Sequence, residues 1–193
     1  MAIDWDAPTS KVLPPAKLAH VVLRTNKLEE MVNFYKTFLG AEAMYENEIL
    51  AFLTYDDEHH RIALVQVPGT KDKDRQSCGL EHIAFTYESL TDLLLAYRQR
   101  KVRSINPFWP VNHGPTTSIY YKDPDGNMLE TQVDNFDDAD SATQFMKSPA
   151  FAENPIGVDF DPEEFISRLS AGESEAELKT RKDIGPRGIP EFA

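Results

Sequence analysis

The stretch GLEHIAFTYESL, residues 79–90, reads as a strand with a histidine, His82, near its start. Alone, such a histidine is more often a satisfied core residue than a ligand. The stretch KLAHVVLRTNKL at residues 17–28 repeats the pattern 62 positions earlier, with His20 in the place of His82. A repeat of this kind indicates one structural unit used twice, related by a pseudo-twofold axis. Two equivalent histidines near such an axis favour a metal site.

Each half of the repeat predicts a βαβββ module. In the first half, β-branched residues predict a strand at 18–25, and an apolar stripe at helical spacing predicts a helix that ends at Gly40. A charged linker, residues 68–79, separates the halves. The modules are therefore 17–68 and 79–135. Further strands are predicted near 42–46, 49–55, 61–67, 80–87, 103–108, 115–122 and 128–133, with a second helix near 89–101.

Two segments flank the modules. Residues 1–16 form a polar N-terminal arm rich in proline, for which no regular structure is predicted. Residues 136–193 form an acidic C-terminal extension, in which Asp161 caps a predicted helix near 161–181. The extension is too polar for its own core, so we expect the helix to pack on a module surface in a dimer. The stretch FMKSPAF at 145–151 is expected near the pocket mouth.

Composition restricts the partners and the compartment. The 20 Lys and Arg residues against 32 Asp and Glu give a net charge of −12, which disfavours nucleic acid and anionic membranes. The N-terminus lacks the pattern of a signal peptide, and no apolar run is long enough to span a bilayer. We therefore expect a cytoplasmic protein. The single cysteine, Cys78, excludes an internal disulfide.

A carboxylate completes the candidate metal site. Glu130 lies in the predicted strand MLETQV, where a buried charge is costly unless it binds a metal or a strong ionic partner. His20, His82 and Glu130 then form a set of two histidines and one carboxylate on three strands. When the last hairpins of the two modules are aligned on their glutamines, Leu64 corresponds to Glu130. Leucine cannot ligate, so this alignment leaves coordination positions open.

The chain resembles a known superfamily. The residues that carry the likeness are HVVL at 20–23, LEHIAF at 80–85 and HGPTTSIYYKDPDGNMLE at 113–130. They resemble the vicinal oxygen chelate superfamily, which holds glyoxalase I, bleomycin-resistance proteins, fosfomycin-resistance enzymes and extradiol dioxygenases. The likeness covers residues 17 to about 135. It implies an α+β fold in which the paired modules form a curved mixed sheet that cups a metal site.

The resemblance also implies an activity. Extradiol dioxygenases bind Fe(II) with two histidines and a glutamate, a pattern that His20, His82 and Glu130 match. Glyoxalase I has a further glutamate, where this chain has Leu64. The expected function is therefore ring cleavage of a catechol-like or polyphenolic substrate by dioxygen. Residue Tyr120 resembles the pocket tyrosine of these enzymes, and His113 resembles a histidine that acts as acid or base.

Two other functions stay open at this stage. One is a non-oxidative lyase or isomerase of the same superfamily that uses Mn, Zn or Ni. The other is a metal-free protein that sequesters aromatic compounds, against which the intact ligand set argues. A homodimer is expected, because twofold dimers are the commonest small oligomers and sheet edges need covering. His59 and His60 lie in a polar loop and are expected to be solvated.

Overall fold

The computed structural model describes residue 5 and residues 11–191, and most of the predicted arm lies outside the described residues. The first module contains β1 (Val21–Thr25), α1 (Leu28–Leu39), β2 (Glu42–Glu46), β3 (Leu50–Thr54) and β4 (Ile62–Gln66). The second contains β5 (His82–Thr86), α2 (Leu90–Lys101), β6 (Trp109–Asn112), β7 (Thr116–Lys122) and β8 (Met128–Asp134). The extension contains α3 (Ala139–Met146), α4 (Pro149–Glu153), β9 (Val158–Asp159), α5 (Pro162–Ser170) and α6 (Glu175–Lys179).

The predicted α+β class and the paired βαβββ modules are confirmed. The strand predicted near 103–108 lies later in the chain, as β6 (Trp109–Asn112). The backbone amides of Arg103, Ser104 and Ile105 donate to carbonyls of the last turn of α2. Ser104 adopts a positive φ of 64°. These residues therefore close the C-terminal end of the helix, and the strand starts only after this turn.

The strands lie in two sheets. In the first, the order is β1-β4-β3-β2, and in the second it is β5-β8-β7-β6-β9. The first and last strands of each module pair in parallel, while the remaining pairs within a module are antiparallel. The short β9 adds the C-terminal extension to the edge of the second sheet, antiparallel to β6. The extension is thus part of the sheet that carries His82 and Glu130.

Each sheet has a covered face and an open face. Leu23 and Leu64 lie on the covered face of the first sheet, and Phe85 and Leu129 lie on that of the second; all four belong to one hydrophobic core. Helix α1 links the two covered faces, because the ring centroids of Phe38 and of Tyr121 on the second sheet lie 5.1 Å apart. Since the covered faces share a core, the open faces point away from each other.

Helices of the extension pack on α2 within the same chain. Phe165 of α5 and Leu178 of α6 join the hydrophobic core. The carboxylate of Glu175 accepts hydrogen bonds from the Leu90 and Thr91 amides at the start of α2. Where one helix was expected near 161–181 there are two, because the chain turns at Gly172 and a capping box at Ser174 begins the next helix.

Within residues 5 and 11–191, no helix is both long and apolar enough to cross a membrane.

Candidate metal centre

His82 and Glu130 lie together on the open face of the second sheet. Strands β5 and β8 run parallel, with His82 beside Met128 and Ala84 beside Glu130, so the histidine and the glutamate project from the same side. The His82 Nε2 atom lies 3.0 Å from a Glu130 carboxylate oxygen, and the Glu130 side chain is only 6% exposed. These two side chains supply one nitrogen and one oxygen donor from neighbouring strands.

Hydrogen bonding controls the charge of this pair. Burial alone would raise the pKa of Glu130, but hydrogen bonds from His82 and Ser118 outweigh it and lower that pKa. In return, the carboxylate raises the pKa of His82, against the effect of burial. Glu130 is therefore an anion held in a mostly buried position, where a metal cation could take the place of the histidine proton.

Tyr120 and His113 extend the network beside Glu130. Tyr120 faces Glu130 directly across the β7–β8 pair. Burial and the neighbouring carboxylate raise the pKa of Tyr120, so its hydroxyl stays protonated. The His113 Nε2 atom lies 3.1 Å from that hydroxyl, and the two ring planes are perpendicular. The hydroxyl is thus shared between a carboxylate and an imidazole.

The tautomer of His113 follows from its other contact. The His113 Nδ1 atom lies 2.6 Å from the Ile156 carbonyl oxygen, which can only accept, so Nδ1 carries a proton. Burial lowers the pKa of His113, which favours the neutral ring. A neutral ring protonated at Nδ1 presents a lone pair at Nε2. His113 can therefore accept a proton from the direction of Tyr120.

His20 lies on the other sheet. It precedes β1, its side chain is exposed, and its ring lies 4.2 Å from the ring of His60, which in turn lies 4.7 Å from Phe52 on the open face. In the described part of the chain, no group of three or more His, Cys, Asp and Glu residues could hold a metal. A single chain therefore brings together His82, Glu130, Tyr120 and His113, but not His20, because the two open faces point apart.

Two sequence interpretations near His20 were wrong. His60 is buried, and burial lowers its pKa, whereas it was expected to be solvated like the exposed His59. The polar composition of the loop predicts exposure, but His60 packs against Phe52 of the first sheet. Leu64 is also misassigned, since it pairs with Leu23 on the covered face and is fully buried.

The register identifies the true counterpart of Glu130. In the second sheet Glu130 pairs with Ala84, and in the first sheet the equivalent Val22 pairs with Ala63. The alignment on glutamines was thus one residue out of register, which moves a side chain to the opposite face. Alanine cannot ligate a metal, so the symmetric position still lacks a fourth ligand.

Other side chains of the network were missed in the sequence. Ser118 hydrogen-bonds Glu130 and lies on the same face as Tyr120, as the alternation in TTSIYYK would have indicated. Trp109 stacks on Tyr120 at 4.9 Å, and its indole nitrogen donates to Asp159 in the extension. The Ile156 carbonyl has no sequence signature, since every residue carries one.

The fold agrees with comparisons to known proteins. The family model of the Glyoxalase/Bleomycin resistance protein/Dioxygenase superfamily matches residues 17–131. The chain belongs to this superfamily, and the resemblance seen in its sequence is confirmed. A glyoxylase/bleomycin resistance protein/dioxygenase domain from Frankia sp. EAN1pec has the same fold, with a TM-score of 0.53 at 19% identity, over 63% of this chain and 99% of that one.

Two curated relatives narrow the class within the superfamily. Biphenyl-2,3-diol 1,2-dioxygenase 2 of Rhodococcus globerulus is 46% identical, over 81% of this chain and 83% of the relative. Biphenyl-2,3-diol 1,2-dioxygenase 3 of the same organism is 44% identical, over 86% and 88%. These relatives support the predicted extradiol ring-cleaving dioxygenase, an oxidoreductase that depends on a catalytic metal.

Proposed function

We propose that this protein is an Fe(II)-dependent extradiol dioxygenase that cleaves the ring of a catechol-like substrate, with a two-ring catechol of the biphenyl-2,3-diol type as the first candidate. The observation that carries the proposal is the buried Glu130 carboxylate in contact with His82, with Tyr120 and His113 beside it. This set combines metal donors with proton-transfer groups on one sheet face. The named activities of the two Rhodococcus relatives support the same reaction.

The donor set fits ferrous iron. His82 and Glu130 would hold the ion with one nitrogen and one oxygen, and a further imidazole would complete two histidines and one carboxylate. When bound, the ion would supply electron transfer between the catechol substrate and dioxygen. Alanine at position 63 gives no fourth protein ligand, which leaves positions for both substrates.

The further imidazole is His20 of the partner subunit in a homodimer. Because the two open faces of one chain point apart, a second copy is needed to place a first-sheet histidine opposite His82. The exposed first-sheet face supports such an interface, since Val22 is 56% and Tyr45 is 50% exposed. Exposed apolar side chains on a sheet face are typical of an interaction surface.

Tyr120 and His113 have distinct roles in this proposal. The Tyr120 hydroxyl would hydrogen-bond an oxygen of the substrate while it remains protonated. The His113 Nε2 atom would accept the proton that a catechol hydroxyl loses on binding, either directly or through Tyr120. Their burial beneath Trp109 limits the access of water to these transfers.

The alternatives make different demands on the site. A metal-free sequestering protein has no use for a buried ionised carboxylate, whose burial is costly. A glyoxalase-like lyase would require a carboxylate at the position of Ala63. Both are therefore less well supported than ring cleavage.

The test is anaerobic reconstitution of the apoprotein with Fe²⁺, Mn²⁺, Zn²⁺ or Ni²⁺. Oxygen uptake is then measured with 2,3-dihydroxybiphenyl and with catechol. Uptake with a one-to-one ratio of oxygen to ring-opened product supports the proposal, and Fe²⁺ should give the highest rate. Stoichiometric metal binding without oxygen uptake on either catechol contradicts it.

A further inference from the structure

The C-terminal extension binds the loop that carries His113. The Ile156 carbonyl accepts the proton of His113 Nδ1 at 2.6 Å. From the same extension, the Arg181 guanidinium donates to the His113 carbonyl at 3.1 Å and to the Asn154 carbonyl at 2.6 Å. The extension therefore contacts both the ring and the backbone of one residue in the proposed catalytic network.

The turn that presents the Ile156 carbonyl is closed by a buried side chain. Asn154 is 4% exposed, its Oδ1 accepts from the Gly157 amide at 2.8 Å, and its Nδ2 donates to the Gly157 carbonyl at 3.1 Å. These two bonds fix both polar groups of the residue that follows Ile156. The Gly157 amide shares a peptide plane with the Ile156 carbonyl, so its bond to Asn154 sets the direction of that carbonyl, while the Gly157 carbonyl also accepts from Arg187 at 3.2 Å.

Close approach of the turn to the His113 loop requires glycine at position 157. Gly157 has a φ of +108°, and a Cβ there would lie 2.3 Å from the Asn112 carbonyl oxygen and 2.8 Å from His113 Cα. Any side chain would push the turn and the loop apart. Gly157 thus permits the contact that Asn154 orients.

We propose that Asn154 and Gly157 are positioning residues, which act through the Ile156 carbonyl to hold His113 as the Nδ1–H tautomer with its Nε2 lone pair directed at Tyr120. The expected effect on catalysis rests on the proposed dioxygenase function. The tautomer of His113 does not depend on that function. A ring that turned or changed tautomer would present an N–H to Tyr120 and could not accept a proton there.

The chain offers a matched control for Gly157. Gly172 lies in the same extension with a φ of +95°, and no atom lies within 4 Å of its Cβ position. Gly157→Ala and Gly172→Ala therefore introduce similar backbone strain, but only the first forces the turn away from His113. Any difference between the variants reports on the contact rather than on the strain.

The first measurement is the protonation of the His113 ring, by long-range ¹H–¹⁵N NMR on histidine-labelled protein without metal. The His113 signals are assigned by their absence in His113→Gln. In the wild type and in Gly172→Ala we expect a neutral ring protonated at Nδ1. In Gly157→Ala we expect a mixture of tautomers. A pure Nδ1–H ring in folded Gly157→Ala would overturn the proposal.

The second measurement is steady-state kinetics with 2,3-dihydroxybiphenyl on the Fe²⁺-loaded protein. Gly157→Ala should lower kcat by ~10- to 100-fold, as for other partners that orient a catalytic group, with a smaller change in KM. Gly172→Ala should keep kcat near the wild-type value. An equal loss of kcat in both variants would mean that strain alone is responsible, and would overturn the positioning role.

Asn154 gives an independent variant if Gly157→Ala does not fold. Asn154→Asp keeps the acceptor for the Gly157 amide beside the Arg181 cation, whereas Asn154→Ala removes both bonds. We expect Asn154→Asp to retain the Nδ1–H tautomer and Asn154→Ala to lose it. If both variants retain it, the proposal is wrong. A tautomer change in a protein that has no oxygen uptake would leave the positioning intact and refute only the dioxygenase function.

Discussion

The open faces of the two sheets come from the same βαβββ unit and differ in chemistry. On the second sheet, His82 contacts a buried glutamate, Tyr120 pairs with that glutamate, and His113 contacts the Tyr120 hydroxyl. On the first sheet, the equivalent His20 is exposed, and alanine stands where the glutamate would be. In the proposed site, the second face would supply His82, Glu130 and the proton-transfer groups, and the first face would supply His20, whose ring lies beside that of His60.

Removing the glutamate should have the largest effect. Glu130→Gln keeps the shape but removes the anion, so we expect more than ~100-fold weaker Fe²⁺ binding and a matching loss of oxygen uptake. Isothermal titration of the apoprotein with Fe²⁺ under nitrogen measures the first, and an oxygen electrode the second. Gln132→Ala, on the same face of the same strand, is the control and should bind iron normally. Unchanged iron affinity in Glu130→Gln would exclude Glu130 as a ligand.

The symmetry of the faces can be tested by restoring the missing carboxylate. Ala63 lies on the open face but is only 1% exposed, so we expect Ala63→Glu to be less stable than the wild type without metal and to regain stability with Zn²⁺, which the added carboxylate would bind. It should also lose oxygen uptake, since a fourth ligand fills a coordination position. Leu64→Glu should instead destabilise the fold by ~3 kcal/mol or more, because it places an unpaired charge in the core. Urea unfolding with Zn²⁺ titration separates the two. Equal stabilisation of both variants by Zn²⁺, or of neither, would contradict the register that makes Ala63 the counterpart of Glu130.

The two sheets also differ in how far the sequence predicted them. Both modules and the His82–Glu130 pair follow from local patterns, since strand alternation and the repeat are written in consecutive residues. The separation of His20 from His82 does not follow from local patterns. It arises because the helix-covered faces of both sheets pack into one shared core, which consecutive residues do not encode. The misassigned Leu64 reflects the same limit, as a one-residue shift in register cannot be seen without the paired strand. Contacts through backbone carbonyls, such as that of Ile156, leave no trace in side-chain identity.

Loss of the Tyr120 hydroxyl should lower the rate by an intermediate amount, because it changes only the second face and leaves the metal ligands in place. Tyr120→Phe keeps the stacking on Trp109 but removes the group between Glu130 and His113. We expect kcat to fall by ~100-fold, in the range for a lost proton-transfer group, while iron content stays unchanged. Elemental analysis and stopped-flow product formation measure both quantities. Tyr55→Phe, just after β3 in the first module and 44% exposed, is the control and should keep its activity. A Tyr120→Phe enzyme with wild-type kcat would limit Tyr120 to packing.

The smallest expected change in rate comes from mixed dimers, in which the two subunits carry different substitutions. These dimers test directly whether the two faces meet in one site. If each site takes His20 from one subunit and His82 with Glu130 from the other, a dimer of one His20→Ala and one Glu130→Gln subunit has one intact site. Co-expression with two affinity tags and tandem purification gives this mixed dimer, and we expect about half of the wild-type rate. Both parent homodimers should be inactive. The control is a mixed dimer of His82→Ala and Glu130→Gln, in which each site has a defect and no activity should return. If the first mixed dimer is as inactive as its control, His20 and Glu130 do not meet across the interface, and the shared site is wrong.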